Sequence, residues 1–253
     1  MFRGFYTLTS NMLTQQRKLN IISNNMANVA TPGFKRDNLM TTTFEEALAY
    51  RTGSVNKNHP APLGNVAMMR VPDERTTNYE QGSFDTTGRP LDAGLIGDGF
   101  FVVRTPAGED VYTRNGSFTL DEEGYLYLQH IGRVIGDDGE PIFLGTDKIQ
   151  FQRDGTIVFQ ESNDVFGRLR IVSFTDFYPV EKMGEGMFVA DAGNVFDVGL
   201  PTVMGGMLER SNVSAMDEMV AMITSQRSIQ SASQIIKMYD LIMGKAANDI
   251  GRV

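Results

Sequence analysis

Cysteine is absent from the 253 residues. That excludes disulfides, thiolate metal sites and cysteine nucleophiles, and it leaves the compartment open. No apolar run approaches the roughly 18 residues of a membrane span. The N-terminus lacks a continuous apolar segment followed by a small-residue cleavage site, so no classical signal peptide is visible. Histidine occurs only as His59 and His130. They are too far apart for metal-ligand spacing, and each is expected on the surface or in a loop. The first 36 residues hold Arg3, Arg17, Lys18, Lys35 and Arg36 but no acid. Residues 211–253 balance four acids with four bases, so an overall charge of −8 leaves about −13 for residues 37–210. An acidic middle argues against wrapping nucleic acid, whose phosphates need a basic face.

Catalytic signatures are equally scarce. There is no G-x-S-x-G, no H-E-x-x-H and no phosphate-binding loop. "GLIGDGFF" carries Gly94, Gly97 and Gly99 in the wrong order for a dinucleotide fingerprint, and a strand-like run follows instead of a helix. These glycines are expected in tight turns. "DEEG" and "DDGE" lack the alternating oxygen ligands of a calcium loop. Asn115 and Asn212 head glycosylation-type triplets, a pattern that arises often by chance. No catalytic, cofactor-binding or metal site is assigned, and the chain is not read as an enzyme.

What is present is periodicity. Phe5, Leu8, Met12, Gln15, Leu19, Ile22, Met26 and Val29 repeat at spacings of three and four, and only Gln15 breaks the apolar stripe. This is the narrow seam of a helix that packs on another helix. Pro32 lacks the N–H a helix needs and disfavours helical geometry at Thr31, so the helix should end near Asn28 or Val29. At the other end Ile229, Ala232, Ile236, Tyr239, Met243, Ala246 and Ile250 repeat in the same way, with Met222 one heptad earlier. This second helix is predicted over about 213–249, with Ser211 or Asn212 as cap and Asp217 and Glu218 in its first turn. Two seams matched in period and length suggest a coiled coil built from both termini. The alternative is that each helix lies on the central domain as a surface helix. Two helices cannot bury two seams and semi-polar outer faces by themselves, so further copies or partners are expected.

Between about 79 and 203 the period shortens to two. "VYTRNGSFTLDEEGYLYL" offers a tight hairpin at Asn115-Gly116 and a second turn at Asp121–Gly124. "KIQFQRDGTIVFQ" alternates Ile149 and Phe151, turns at Asp154-Gly155, and resumes with Ile157 and Phe159. "GRLRIVSF" reads as one more alternating run. The fold class is therefore mainly β: an antiparallel all-β central domain, a sandwich or partly closed barrel, with terminal helices. The expected division is residues 1–36 with 211–253 as a helical coiled-coil domain, 37–78 as an extended connector, and 79–210 as a β-rich outer domain.

Three stretches carry a family resemblance. "SNNMANVATPGFK" resembles the N-terminal signature of the bacterial flagellar rod and hook proteins through Ser23, Asn24, Asn25, Ala27, Asn28, Thr31, Gly33, Phe34 and Lys35. "GRPLDAGLIGDGFFVV" with "YTRNGSFTLDEEGYL" is similar to that family's central β-domain signature. "GMLERSNVSAMDEMVAMITSQR" resembles its C-terminal signature through Gly206, Leu208, Glu209, Ser211, Asn212, Val213, Glu218, Met219, Ile223, Gln226 and Arg227.

The resemblance implies a structural subunit of the flagellar basal-body rod, most like the proximal-rod type with a β-domain. The distal rod or another hook–basal body axial protein is the alternative. It also implies export through the flagellar type III apparatus without a cleaved signal, an extracytoplasmic location and a coiled-coil core of stacked termini. The implied partners are further copies of the chain, other rod and hook–basal body proteins and the export apparatus; nucleic acid, cofactors and stable membrane insertion are not implied. In that setting the asparagines near the end of the first helix could cross-link helices at little charge cost, or they could simply end a helix. A membrane-surface anchor with a secreted binding module is the rival from another class; few charges and the interrupting Gln15 argue against it.

Overall fold

The computed structural model describes residues 2–51, 61–162, 164–177 and 179–250. His59 and residues 251–253 lie outside them. The chain forms two compact units: Met1–Met26, Asp37–Asn78 and Ser214–Val253 make one, and Ala27–Arg36 with Tyr79–Val213 make the other.

The first unit holds both helices. Helix α1 spans Phe2–Ala27, ending just before the predicted boundary. Within it the Thr9 and Thr14 hydroxyls each donate to the carbonyl four residues back, Thr9 to Phe5 and Thr14 to Ser10, at 2.9 Å. Helix α2 spans Ala215–Ile250. Its cap is Ser214, not Ser211 or Asn212: the Ser214 hydroxyl accepts from the Asp217 N–H at 3.4 Å. Asp217 and Glu218 do fall in the first turn, where the positive helix end favours them. The helices run antiparallel and in step. Asn25 reaches Glu218 at one end, and at the other a Cβ added to Gly4 would lie 2.9 Å from the Tyr239 hydroxyl. These contacts are the same number of residues apart on both helices.

The stretch expected as a connector is a β-ribbon. Strand β1 (Asp37–Arg51) pairs antiparallel with β2 (Ala61–Thr77), in register from Asp37↔Thr77 to Arg51↔Ala61, with irregularities after Leu39 and Ala49. Backbone hydrogen bonds define this ribbon, so no clean apolar alternation announced it.

The second unit is antiparallel throughout. In chain order its strands are β3 (Phe84–Thr86), β4 (Ala93–Ile96), β5 (Phe100–Arg104), β6 (Asp110–Thr113), β7 (Phe118–Leu120), β8 (Leu126–Leu128) and β9 (Gly132–Val134). There follow β10 (Ile149–Phe151), β11 (Thr156–Phe159), β12 (Val165–Arg168), β13 (Ile171–Phe174), β14 (Glu181–Lys182), β15 (Met187–Val189), β16 (Val195–Asp197), β17 (Thr202–Gly205) and β18 (Met207–Glu209). The largest sheet runs β14-β15-β6-β5-β9-β8-β7, with β13 joining β5 and β16 joining β13. Strands β10-β11-β12 form a second sheet, and β17 pairs β4 while β18 pairs β3.

Strand β5 lies between two cores, which is why "FFVV" is continuously apolar. Phe101 and Val103 join Leu95, Phe118, Leu126, Ile157 and Leu169 in one cluster. Phe100 and Val102 join Tyr112, Ile135, Val172, Phe174 and Phe188 in the other. Each fully buried aromatic or aliphatic side chain contributes about 1.5–3 kcal/mol.

Several local expectations change. The run Gly167–Phe174 is not one strand, because β12 ends at Arg168 and β13 begins at Ile171. Asn115-Gly116 is not a positive-φ hairpin turn. Instead the Asn115 side chain accepts from the Ser117 N–H at 3.0 Å, and Gly116 sits where a Cβ would be 1.7 Å from the Ala93 carbonyl oxygen. Gly94 lies inside β4 and faces the Phe84 ring, not in a turn. Both remaining turns form as expected: the Gly124 N–H donates to the Asp121 carbonyl, and the Gly155 N–H donates to that of Gln152. His130 is exposed at the turn after β8.

Candidate functional site: buried polar clusters

Among the described residues each unit buries a charged cluster that draws on the terminal motifs. In the β-rich unit the side chain of Lys35 is 1 % exposed. Its ammonium donates to Glu209 Oε1 at 2.7 Å and to the Glu80 carbonyl at 2.8 Å. Glu209 also accepts from the Gly82 N–H at 3.0 Å and from Arg114 Nη1 at 3.4 Å. Arg114 also donates from Nη1 to the Leu95 carbonyl and from Nη2 to the Gly97 carbonyl, and it stacks over the Phe100 ring. Burial holds both the Lys35 ammonium and the Arg114 guanidinium below their usual values, against the opposing pull of Glu209. Two cations share one buried carboxylate, so Glu209 is the residue on which this balance turns.

Around Lys35 the chain is pinned by further polar contacts. The Gly33 N–H donates to the Glu209 carbonyl at 2.8 Å. The Arg36 N–H donates to Asn212 Oδ1 at 2.7 Å, and Asn212 Nδ2 reaches the Glu80 carbonyl at 3.0 Å. The Lys182 ammonium donates to the Lys35 carbonyl and lies 3.7 Å from the Phe34 ring centroid.

In the helical unit Asn25 uses both ends of its amide. Its oxygen accepts from the Asp37 N–H at 3.0 Å, while its nitrogen donates to the Asp37 carbonyl at 2.9 Å and to Glu218 Oε1 at 3.5 Å. Asp37 Oδ1 accepts in turn from the Thr77 hydroxyl at 2.8 Å. One asparagine of the motif thus links α1, β1 and α2. Asn28 behaves differently: its oxygen accepts from the Thr31 hydroxyl at 3.2 Å, an ordinary helix-end contact.

The motif residues divide by burial. Asn25, Gly33, Phe34, Lys35, Glu209, Val213 and Glu218 are buried; Asn28, Thr31, Gly206, Leu208, Ser211 and Asn212 are half-buried; Ser23, Asn24, Ala27 and Met219 are exposed. Of the seam residues, Ile22 is buried, and Leu8, Met12, Leu19, Met26, Ile229 and Ile236 are half-buried. Phe5, Tyr239 and Met243 are exposed, and the side chain of Ile250 lies outside the description. Sequence reasoning missed Arg114, Glu80, Asp37 and Lys182. Arg114 stands inside a quoted stretch, but no local spacing ties it to Lys35 or Glu209.

A groove of about 480 Å³ on the β-rich unit is lined by Arg104, Pro106, Asp121, Tyr127, Arg133 and Pro141 among others. Arg104 is paired with Asp110 and Arg133 with Asp121 and Glu123, so the groove offers an anion little net attraction. Among the described residues no group of three or more His, Cys, Asp or Glu side chains could hold a metal ion.

Three family profiles match the chain in order. Residues 5–35 match "Flagella basal body rod protein", 95–159 match "Flagellar hook protein FlgE/F/G D1 domain", and 204–249 match "Flagellar basal body rod FlgEFG protein C-terminal". The buried triad takes Lys35 from the first, Arg114 from the second and Glu209 from the third. The flagellar basal-body rod protein FlgG of Borreliella burgdorferi is 31 % identical over 265 residues, covering 98 % of both chains. The chain belongs to the flagellar basal-body rod protein family. The rod protein FlgF of Caulobacter vibrioides is 31 % identical over 258 residues and matches end to end. The hook–basal body complex protein FlhO of Bacillus subtilis is 28 % identical over 278 residues, again end to end. As a member of the rod family the chain is a structural subunit of the flagellar basal body. No helix among the described residues is long and apolar enough to cross a membrane.

Proposed function

We propose that this rod subunit polymerises through α1 and α2, which pair as a coiled coil and stack with those of other copies into a torque-transmitting shaft. The observation that carries the reading is how the helices distribute their side chains. Thr14, Asn25, Glu218, Ser225 and Ala232 are buried, whereas Leu13, Met216, Val220, Leu241 and Ile242 are exposed. On α2 small and polar groups face inward and large apolar ones remain uncovered, while α1 buries Ile22 beside Thr14 and Asn25 and leaves Leu13 exposed. A surface of this kind calls for a protein partner, and stacked copies of the same helices supply one of matching chemistry. The chain then works by contact rather than catalysis. It is delivered through the flagellar type III export apparatus without a cleaved signal and acts outside the cytoplasm, beside other rod and hook–basal body proteins.

Leu19→Asp or Ile236→Asp places a charge on the half-buried seam. Either variant is expected to block rod assembly and abolish swimming, while the isolated chain keeps the melting transition of its β-rich unit. Normal swimming by both would sink the seam reading. Along the rod we place the subunit in the proximal segment, supported by a tail, "KAANDIGRV", unlike the distal-rod pattern. The match to FlhO favours a second reading, a hook–basal body axial protein of another position. Mass spectrometry of fractionated basal bodies separates them. Few copies alongside inner rod components fit the proximal segment; several-fold more on the hook side fit the other reading.

A further inference from the structure

Residues 27–36 leave α1, lie within the β-rich unit, and are then followed by β1 in the helical unit. What holds them is mostly polar. Phe34 is the large apolar side chain buried there, at 2 % exposure. The other ties are the Gly33 N–H on the Glu209 carbonyl, the Lys35 ammonium on Glu209 and Glu80, the Arg36 N–H on Asn212, and Lys182 on the Lys35 carbonyl. Every one of these partners can be hydrated if the segment lifts away. Glu209 would keep Arg114 and the Gly82 N–H as partners. Neither β-domain core draws on residues 27–36. Releasing the segment therefore uncovers one phenylalanine and a set of polar groups, not a hydrophobic core.

We propose that residues 27–36 form a releasable strap, closed by Lys35 on the Glu209–Arg114 pair. It undocks as a unit while the β-rich unit stays folded. When docked, it runs beside residues 209–212, through the Gly33–Glu209 and Arg36–Asn212 contacts. The segment after α1 and the segment before α2 then leave the β-rich unit side by side. When undocked, the two lose these contacts and keep the Asn25–Glu218 tie within the helical unit. The strap is thus a switch between a loose chain and one whose termini are set for assembly; this last step rests on the rod reading, and the strap itself does not.

Hydrogen exchange on the full-length chain tests it. The amides of Gly33 and Arg36 and that of Asn212, which donates to the Phe34 carbonyl, report docking; those of β5 and β6 report the core. In the unaltered chain the strap amides should exchange faster than the core amides. Lys35→Met should speed strap exchange by about a hundredfold, since breaking a buried pair on one side is costly, while the core amides remain the slower set. The proposal is overturned if strap and core amides exchange together in the unaltered chain or in Lys35→Met, or if Lys35→Met leaves strap exchange unchanged. If strap exchange behaves as expected but the chain is absent from purified basal bodies, the rod reading fails and the strap stands.

Discussion

Glu209→Gln is expected to lower the melting temperature of the β-rich unit by roughly 10 °C, the largest loss from any single charge removed there. The side chain keeps its shape and can still accept from the Gly82 N–H, so a cavity is not the cause. The loss comes from leaving two buried cations, Lys35 and Arg114, without their shared anion. Breaking a buried pair in this way costs about 3–5 kcal/mol. Sign provides the sharper test. Adding Lys35→Met to Glu209→Gln removes one of two mutually repelling cations, so the double variant should melt higher than the single. Two charge losses that merely added would make it melt lower, and that result would refute the shared-anion account. Calorimetry of the three variants decides between them.

Gly33→Ala is expected to abolish swimming and strip hydrogen-exchange protection from residues 33–36. Two independent penalties meet at this position. Its φ of 68° is left-handed, which costs an alanine roughly 1–2 kcal/mol. In addition, an added Cβ would lie 2.3 Å from the Arg114 carbonyl carbon and 2.5 Å from the Asn115 nitrogen, both backbone atoms that no rotamer change can move. Gly108→Ala is the control, because Gly108 also has a positive φ, 86°, but nothing lies within 4 Å of an added Cβ. Gly108→Ala should show a small loss of stability and normal swimming. Equal effects of the two substitutions would mean that close backbone approach at Gly33 contributes nothing.

The helices were legible because their apolar residues recur at three and four, and Pro32 marks where the first must stop. The central strands were legible where one face is buried, as at Ile149, Phe151 and Ile157. Reading failed where that pattern is absent. The β1–β2 ribbon is fixed by its backbone ladder and was read as an extended connector. Asn115-Gly116 has the composition of a reversed turn, yet Gly116 is required by the approach of the Ala93 carbonyl. Of the buried cluster, Lys35 and Glu209 were marked only by resemblance. Their contact, and the place of Arg114 between them, depend on a fold that brings together residues far apart in sequence. No local window contains that information. The inversion of small and large side chains on α2 was also hidden, because periodicity marks an apolar stripe without saying which neighbour covers it.

The pairing of β3 with β18 and of β4 with β17 joins the first strands of the β-rich unit to its last. Closing such a long loop is entropically costly before any contact rewards it, and chains dominated by distant pairings fold slowly. A chain that emerges N-terminus first therefore cannot consolidate this unit until Glu209 has followed. The topology acts as a timer: it delays folding of the β-rich unit until its last strands are available, and only then allows that unit to become rigid.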